Sequence, residues 1–331
     1  MSASSSQPGF SVVVVTPERF RNIRQTVRHL RAQTVREQIE LLIVAPTQEA
    51  VSDHEPHELA GFHSVRILPD GPIDNVDAAA SVGILAARAT AVASIEDHAF
   101  PDALWAEAHM QAHAEGDWAV VGSLMKNANP DNPLSWTNLL IAYGFSMEPA
   151  QGEQATIAGH NVSYNAAVVQ AYGERLPTML TRGGGLIEDL KANGHRFYLA
   201  SEARIYHVNP SSLASTADLR FSAGRLYGAN RAKEEGWNGM KRALYTAGGP
   251  LIPLVRFKRL REELFGHGTR QHLVPKVFPA LLLGLVFDGL GQMAGYALGP
   301  GEVEKKLSNF EMDRYQHLDT KDQDTFADVL R

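Results

Sequence analysis

Phe10-Ser11-Val12-Val13-Val14-Val15 is a short run dense in β-branched residues, whose stiff side chains favour extended backbone. Directly after it Phe20, Ile23, Val27 and Leu30 recur at helical spacing, so the opening reads as strand then helix. The alternation continues outward. Residues 39–44 and 65–68 read as buried strands, 74–88 as an alanine-rich helix and 90–95 as a fourth strand. A helix over 101–114, with Pro101 near its first turn, and a strand over 118–123 complete the series. Such alternation implies an α/β fold, a doubly wound and mostly parallel sheet covered on both faces.

Residues 126–210 are less regular. Asn127-Ala128-Asn129-Pro130-Asp131-Asn132-Pro133 is a turn-rich connection, short strands are expected near Thr156, Phe197 and Ile205, and Gly183-Gly184-Gly185 marks a loop. Loops from this region are expected over the sheet. Beyond Ser211 the patterns are helical, with breaks expected at Gly248-Gly249-Pro250, Pro253, Pro275 and Pro279, and a polar tail follows over 301–331. The small polar residues 1–9 read as a disordered leader rather than a secretion signal.

Composition narrows the function. With 331 residues, 44% apolar and 21% charged, the chain can bury a large core, which excludes disordered and collagen-like classes. Thirty-one basic against 37 acidic side chains give a net charge of −6, which argues against a nucleic-acid partner. The absence of cysteine removes disulfides, thiolate metal sites and a cysteine nucleophile, and a cytoplasmic setting is expected.

In an open parallel sheet, ligands bind beyond the carboxyl ends of the strands. Thr16-Pro17-Glu18 follow the first strand and Ala45-Pro46-Thr47 the second, and neither forms a glycine-rich phosphate loop of the Rossmann or P-loop kind. The fourth strand ends in Glu96-Asp97-His98. Alternation along an extended tip lets Glu96 and His98 share a divalent cation, Mg2+ or Mn2+, while Asp97 faces another part of the site. The same triplet also reads as a helix-capping acid pair at an ordinary strand-to-helix turn.

These segments, taken together, resemble family-two glycosyltransferases of the GT-A fold. The resemblance runs through Ser11-Val12-Val13-Val14-Val15-Thr16-Pro17, the helix ending Arg31-Ala32-Gln33-Thr34, Ala78-Ala79-Ala80-Ser81-Val82-Gly83-Ile84 and Glu96-Asp97-His98. It continues in Gly159-His160-Asn161-Val162-Ser163-Tyr164, Ala192-Asn193-Gly194-His195-Arg196 and Tyr206-His207, and covers residues 10–210. It implies a catalytic domain binding a nucleotide-diphospho-sugar donor over 10–210, which the helical patterns beyond it follow as an extension over 211–300. By resemblance, Glu96-Asp97-His98 stands at the family's metal-binding DxD motif, with Glu96, His98 and His207 toward the metal and Asp97 toward the donor. Thr16, Pro17 and Glu18 would contact the nucleotide, and Gly159, His160 and Asn161 would lie on the acceptor side. The base would come from Glu188-Asp189, with Asp189 preferred, although this pair stands nearer Gly194 than the family's own. Ala45-Pro46 replaces the family's acidic pair after the second strand. The resemblance therefore implies either an inverting glycosyltransferase, acting on a glycan or lipid-linked acceptor in envelope polysaccharide or glycolipid synthesis, or a non-catalytic binding or assembly module of the same fold.

Arg256, Lys258, Arg259, Arg261, Arg270 and Lys276 adjoin the apolar segment 277–298, whose apolar run Pro279, Asp288 and Gln292 interrupt short of a membrane-spanning length. Two readings fit: a peripheral, non-spanning contact at the inner face of the membrane, or a buried hairpin or homodimer face. Trp105, Trp136 and Tyr143 fit either ligand stacking or the core.

Overall fold

The computed structural model describes residues 7–147, 151–182, 184–265 and 274–327. Residues 1–6 of the expected leader, Gly183, Arg270 and residues 328–331 of the expected tail lie outside the described residues. In chain order the strands are β1 (Phe10–Val15), β2 (Ile39–Ala45), β3 (Ser64–Pro69), β4 (Ala91–Ile95), β5 (Ala99–Pro101), β6 (Val120–Asn127), β7 (Gly152–Gln154), β8 (Val162–Asn165) and β9 (Phe197–His207). The helices through the sheet region are α1 (Phe20–Arg31), α2 (Val76–Ala86), α3 (Trp105–Glu115), α4 (Pro133–Tyr143), α5 (Ala166–Gln170), α6 (Leu176–Leu180) and α7 (Leu186–Ala192). Those after it are α8 (Leu213–Glu234), α9 (Gly239–Ala247), α10 (Ile252–Phe265), α11 (Val274–Leu298), α12 (Val303–Met312) and α13 (Thr320–Thr325).

Two units share the chain. The first comprises Met1–Lys126 with Pro149–His207, the second Asn127–Glu148 with Val208–Arg331. The first unit is built on a sheet of order β3-β2-β1-β4-β8-β6-β9-β5, with β7 also paired to β9. Strands β3, β2, β1 and β4 are parallel, and all six residues of β1 and all seven of β2 are buried, as two-sided cover by helices demands. Beyond β4 the pairing turns antiparallel: β8 runs against β4 and β6, and β9 against β5 and β7.

Three expectations are corrected here. Residues 152–207 add three strands, β7, β8 and β9, to the sheet itself, and the strands expected separately at Phe197 and Ile205 are one, β9, whose length is fixed by partners distant in sequence. Pro101 does not open a helix. It ends β5, paired with Ile205 at the sheet margin where a missing N–H is tolerated, and α3 begins at Trp105.

The third correction concerns the second unit. Pro253 and Pro275 sit at the second position of α10 and α11, and Pro279, Asp288 and Gln292 lie inside an uninterrupted α11. Proline at the first turn forfeits no helical hydrogen bond. The polar pair is absorbed by pairing: Asp288 Oδ2 accepts from Arg256 Nη1 (2.6 Å) and Gln292 Nε2 (2.7 Å). Trp237, Tyr245 and Tyr296 cluster beside this helix, with ring centroids 4.0 to 5.9 Å apart. At the other end, Asn129 and Asn132 donate to Asp322 and Asp319 (2.7 Å each), which fastens α13 to the start of α4.

Candidate metal centre

The register of the first unit assembles the site. Ser94 of β4 pairs with Val162 of β8, which carries the residues just beyond β4 alongside His160 and Asn161. Ala99 of β5 pairs with His207, the last residue of β9, which brings that imidazole beside His98. The outcome is a group of three: one donor atom each from Glu96, His98 and His207, all within 4.8 Å of one another. Glu96 Oε2 lies 3.2 Å from His207 Nε2 and 3.7 Å from His98 Nε2, and the two imidazoles meet edge to face with centroids 4.8 Å apart. Adjacent donors about 2.1 Å from an octahedral ion stand about 3 Å apart, so the group fits a divalent cation with only small adjustment. Two imidazoles with one carboxylate shift the preference from Mg2+ toward Mn2+.

The surrounding residues orient and charge this group. Asp97 Oδ1 lies 2.7 Å from His98 Nδ1, which turns the other ring nitrogen of His98 toward Glu96. Asn161, at φ 56° the one non-glycine residue in the left-handed region among the described residues, grips Glu96 twice. Its Oδ1 accepts from the Glu96 N–H (3.0 Å) and its Nδ2 donates to Glu96 Oε2 (2.5 Å). His160 Nδ1 lies 3.5 Å from Asp77 Oδ1 and 3.9 Å from Glu96 Oε1. Burial alone would depress this imidazole, but Asp77 and Glu96 outweigh burial and push it up to about 9. Burial alone would raise the Glu96 carboxyl, yet His98, His207 and His160 hold it well below the usual carboxylate range, so the group carries an anionic donor.

Behind Asn161 runs a buried relay that sequence reading missed. His113 Nε2 donates to Ser163 Oγ (2.8 Å), which donates to His109 Nδ1 (2.7 Å). His109 Nε2 donates to Ser123 Oγ (3.1 Å), which donates to the Asn161 carbonyl (2.5 Å). These directions follow from satisfying every atom with neutral imidazoles. Burial depresses both rings: His113 to about 4, and His109, which also feels His113, well below its ordinary value. The unfolded chain binds these protons from pH ~6.5 downward. Stability present above that pH is therefore lost as it falls toward 4. Urea unfolding between pH 7 and 5 is expected to show a declining free energy, and His113→Gln should remove about 1 kcal/mol per pH unit of that slope. An unchanged slope in the variant would contradict the assignment.

The other expected site residues are placed as follows. Thr16 is buried at the end of β1, its Oγ1 donating to the Arg19 carbonyl (2.8 Å), with Pro17 half-buried and Glu18 exposed. A Cβ on Gly159 would meet only Ile187 Cγ1, at 3.8 Å, so no neighbour forces glycine there, and α7 passes close by. On that helix Glu188 is exposed, while Asp189 Oδ2 accepts from Tyr172 Oη (2.5 Å) and Asn193 Nδ2 (3.2 Å). Gly184 and Gly185 serve the entry to α7: a Cβ on Gly184 would strike the Thr178 and Met179 carbonyls, and Gly185 caps the helix at φ 72°. Trp105 and Tyr143 are core residues, and Trp136 donates to the Pro130 carbonyl (2.7 Å). Asp77 was not legible in the sequence, because only the packing of α2 brings it to His160.

No protein-family model and no curated protein matches the chain. Solved structures do. The mannosyltransferase PcManGT of Pyrobaculum calidifontis, in complex with GDP-Man and Mn2+, aligns over 90% of this chain and 89% of its own with a TM-score of 0.51 at 13% identity. The chain has a GT-A-type fold. S. aureus TarS with UDP-GlcNAc aligns over 91% and 90% (TM-score 0.45, 12% identity). GalNAc-T7 with UDP, GalNAc and Mn2+ aligns over 60% of this chain and 43% of its own (TM-score 0.44, 12% identity). In the GT-A-type fold described here, the Glu96, His98 and His207 group sits past the carboxyl end of β4, where an open sheet of this kind receives its ligands.

Proposed function

We propose that the chain is an inverting family-two glycosyltransferase that moves a sugar from a nucleoside diphosphate donor to a hydroxyl of a glycan or lipid-linked acceptor, in envelope polysaccharide or glycolipid synthesis at the cytoplasmic face of a membrane. The observation that carries this reading is the Glu96, His98 and His207 group past β4 of a GT-A-type fold. A divalent cation held there supplies Lewis-acid stabilisation of the departing diphosphate. Thr16, Pro17 and Glu18, with Asp97, are assigned to the donor, and Gly159, His160 and Asn161 to the acceptor side. Glu188 or Asp189 takes the proton of the acceptor hydroxyl as that oxygen bonds to the anomeric carbon and the bond from this carbon to the diphosphate oxygen breaks. Tyr172 fixes the orientation of Asp189, which supports it in that role.

The same contact supports a second reading. A carboxylate engaged by both Tyr172 and Asn193 is a weaker base, as a binding or assembly module would tolerate. A screen of nucleotide sugars, read by nucleoside diphosphate release with Mn2+ and with chelator, separates the two. Cation-dependent release that Asp189→Asn or Glu188→Gln lowers at least about a hundredfold is expected. Binding without release, unaffected by either change, would establish the module, and neither binding nor release across the panel would defeat both readings.

A further inference from the structure

Helix α9 is turned the wrong way for a helix in water. Met240 and Leu244, one turn apart, are 84% and 68% exposed. Its cationic residues lie half-buried against aromatic neighbours instead: Lys241 Nζ stands 4.7 Å from the Trp237 ring centroid and Arg242 Nη1 donates to the Tyr296 carbonyl (3.4 Å). A helix facing only solvent would present the opposite side. The exposed apolar surface continues into α10 through Leu251 (61%) and Leu254 (64%). Along α11, Phe278, Leu282, Val286 and Leu290 are exposed at steps of four residues and so share one side of the helix. Phe257 of α10 packs on Phe278 at 5.5 Å, which sets the two surfaces side by side.

Charge is segregated in the same place. Residues 236–261 contain Lys241, Arg242, Arg256, Lys258, Arg259 and Arg261 and no acid, in a chain whose net charge is −6. Lys258, Arg259 and Arg261 are exposed. An apolar face flanked by the exposed cations Lys258, Arg259 and Arg261 complements the anionic headgroup layer of a bilayer, where both contributions act together. A symmetric contact between two copies would set these cations against their own equivalents, which disfavours that occupant.

We infer that the outer face of α9, α10 and α11 docks on an anionic phospholipid surface, lying in the interface rather than crossing it. Helix α11 spans Pro275–Leu298 in its apolar portion, long enough to cross a membrane by length and composition. Its other side, however, is committed to α8 and holds Asp288 and Gln292 buried, with Asp288 accepting from both Arg256 and Gln292. The inference concerns the second unit alone and stands whether or not the metal centre transfers sugars.

Sedimentation of the full chain with vesicles tests it. Vesicles of equal parts phosphatidylcholine and phosphatidylglycerol should pellet the protein, and pure phosphatidylcholine far less. Leu244→Glu with Leu251→Glu and Leu254→Glu should weaken partitioning at least about a hundredfold. Lys258→Glu with Arg259→Glu and Arg261→Glu should weaken it about as much on the anionic vesicles. All six side chains are largely solvent-facing, so an unchanged thermal midpoint should confirm that both variants fold. A wild-type protein that stays in the supernatant, equal binding by the variants, or a wild-type dimer that the leucine changes dissociate without any vesicle binding would each overturn the inference.

Discussion

Glu96→Gln is expected to weaken Mn2+ binding at least about a hundredfold and cation-dependent sugar transfer about a thousandfold, and His207→Ala to do nearly as much. The reason is electrostatic. Glu96 contributes the negative charge of the donor set, and three imidazoles hold it ionised despite its burial. A neutral amide there leaves two imidazoles to bind a dication, without the attraction that offsets its dehydration. The amide keeps a single acceptor oxygen, so if it still accepts from Asn161 Nδ2 its N–H2 group replaces the oxygen that faces His160. His207→Ala separates these effects, because it removes a donor atom and leaves the Asn161 grip intact. A loss of about 4 kcal/mol of leaving-group stabilisation corresponds to the thousandfold fall in rate. Calorimetric Mn2+ titration and diphosphate release should change together. Either variant with Mn2+ affinity and turnover within threefold of the parent removes the cation from the proposed chemistry.

How far the site could be read ahead of the structure depended on sequence distance. Glu96, Asp97 and His98 are adjacent, and three ionisable groups at a strand tip are conspicuous without any fold. His207 stood out only by resemblance. Its partnership with His98 is created by the antiparallel pairing of Ala99 with His207, and a three-residue strand such as β5 carries no periodic signal of its own. The parallel half was legible because its central strands β1 and β2 are buried on both faces and so read as largely apolar runs; β1 occupies the residues expected. The antiparallel half was not, since β7 and β8 have three and four residues and owe their form to partners in β9, β4 and β6. The opposite error arose in α11. Asp288 and Gln292 look like interruptions in a linear reading because the cation that pairs with Asp288, Arg256, lies on another helix, and Gln292 is satisfied by Asp288 and Tyr296 one turn away on either side.

The mutual approach of α8 and α11 leads to the largest expected effect on stability. Gly224 and Gly228 of α8 face Asp288 and Gln292 of α11, while Gly291 and Gly295 of α11 face Phe221 and Arg225 of α8. Four glycines, spaced four apart on each helix, thus let backbone touch backbone. A Cβ on Gly291 would fall well inside contact of the Phe221 carbonyl oxygen and 2.8 Å from the Arg225 nitrogen, and neither atom can turn aside as a side-chain tip could. The helices must separate. Separation opens voids along the whole seam, loosens the surroundings of Asp288 and Gln292 and admits water to a carboxylate whose pairing with Arg256 depends on closeness. Gly291→Leu is therefore expected to destabilise the chain by about 3 kcal/mol or more, read by urea unfolding. Gly239→Ala supplies the contrast: it lies at the first position of α9 with nothing within 4 Å of its Cβ, and should be neutral or stabilise by up to about 1 kcal/mol. A Gly291→Leu protein within about 1 kcal/mol of the parent would mean that α8 and α11 do not meet backbone to backbone. In that event the outward apolar face of α9 to α11 loses its rigid backing as well, since it is the packing of α11 on α8 that decides which side of α11 is left to face outward.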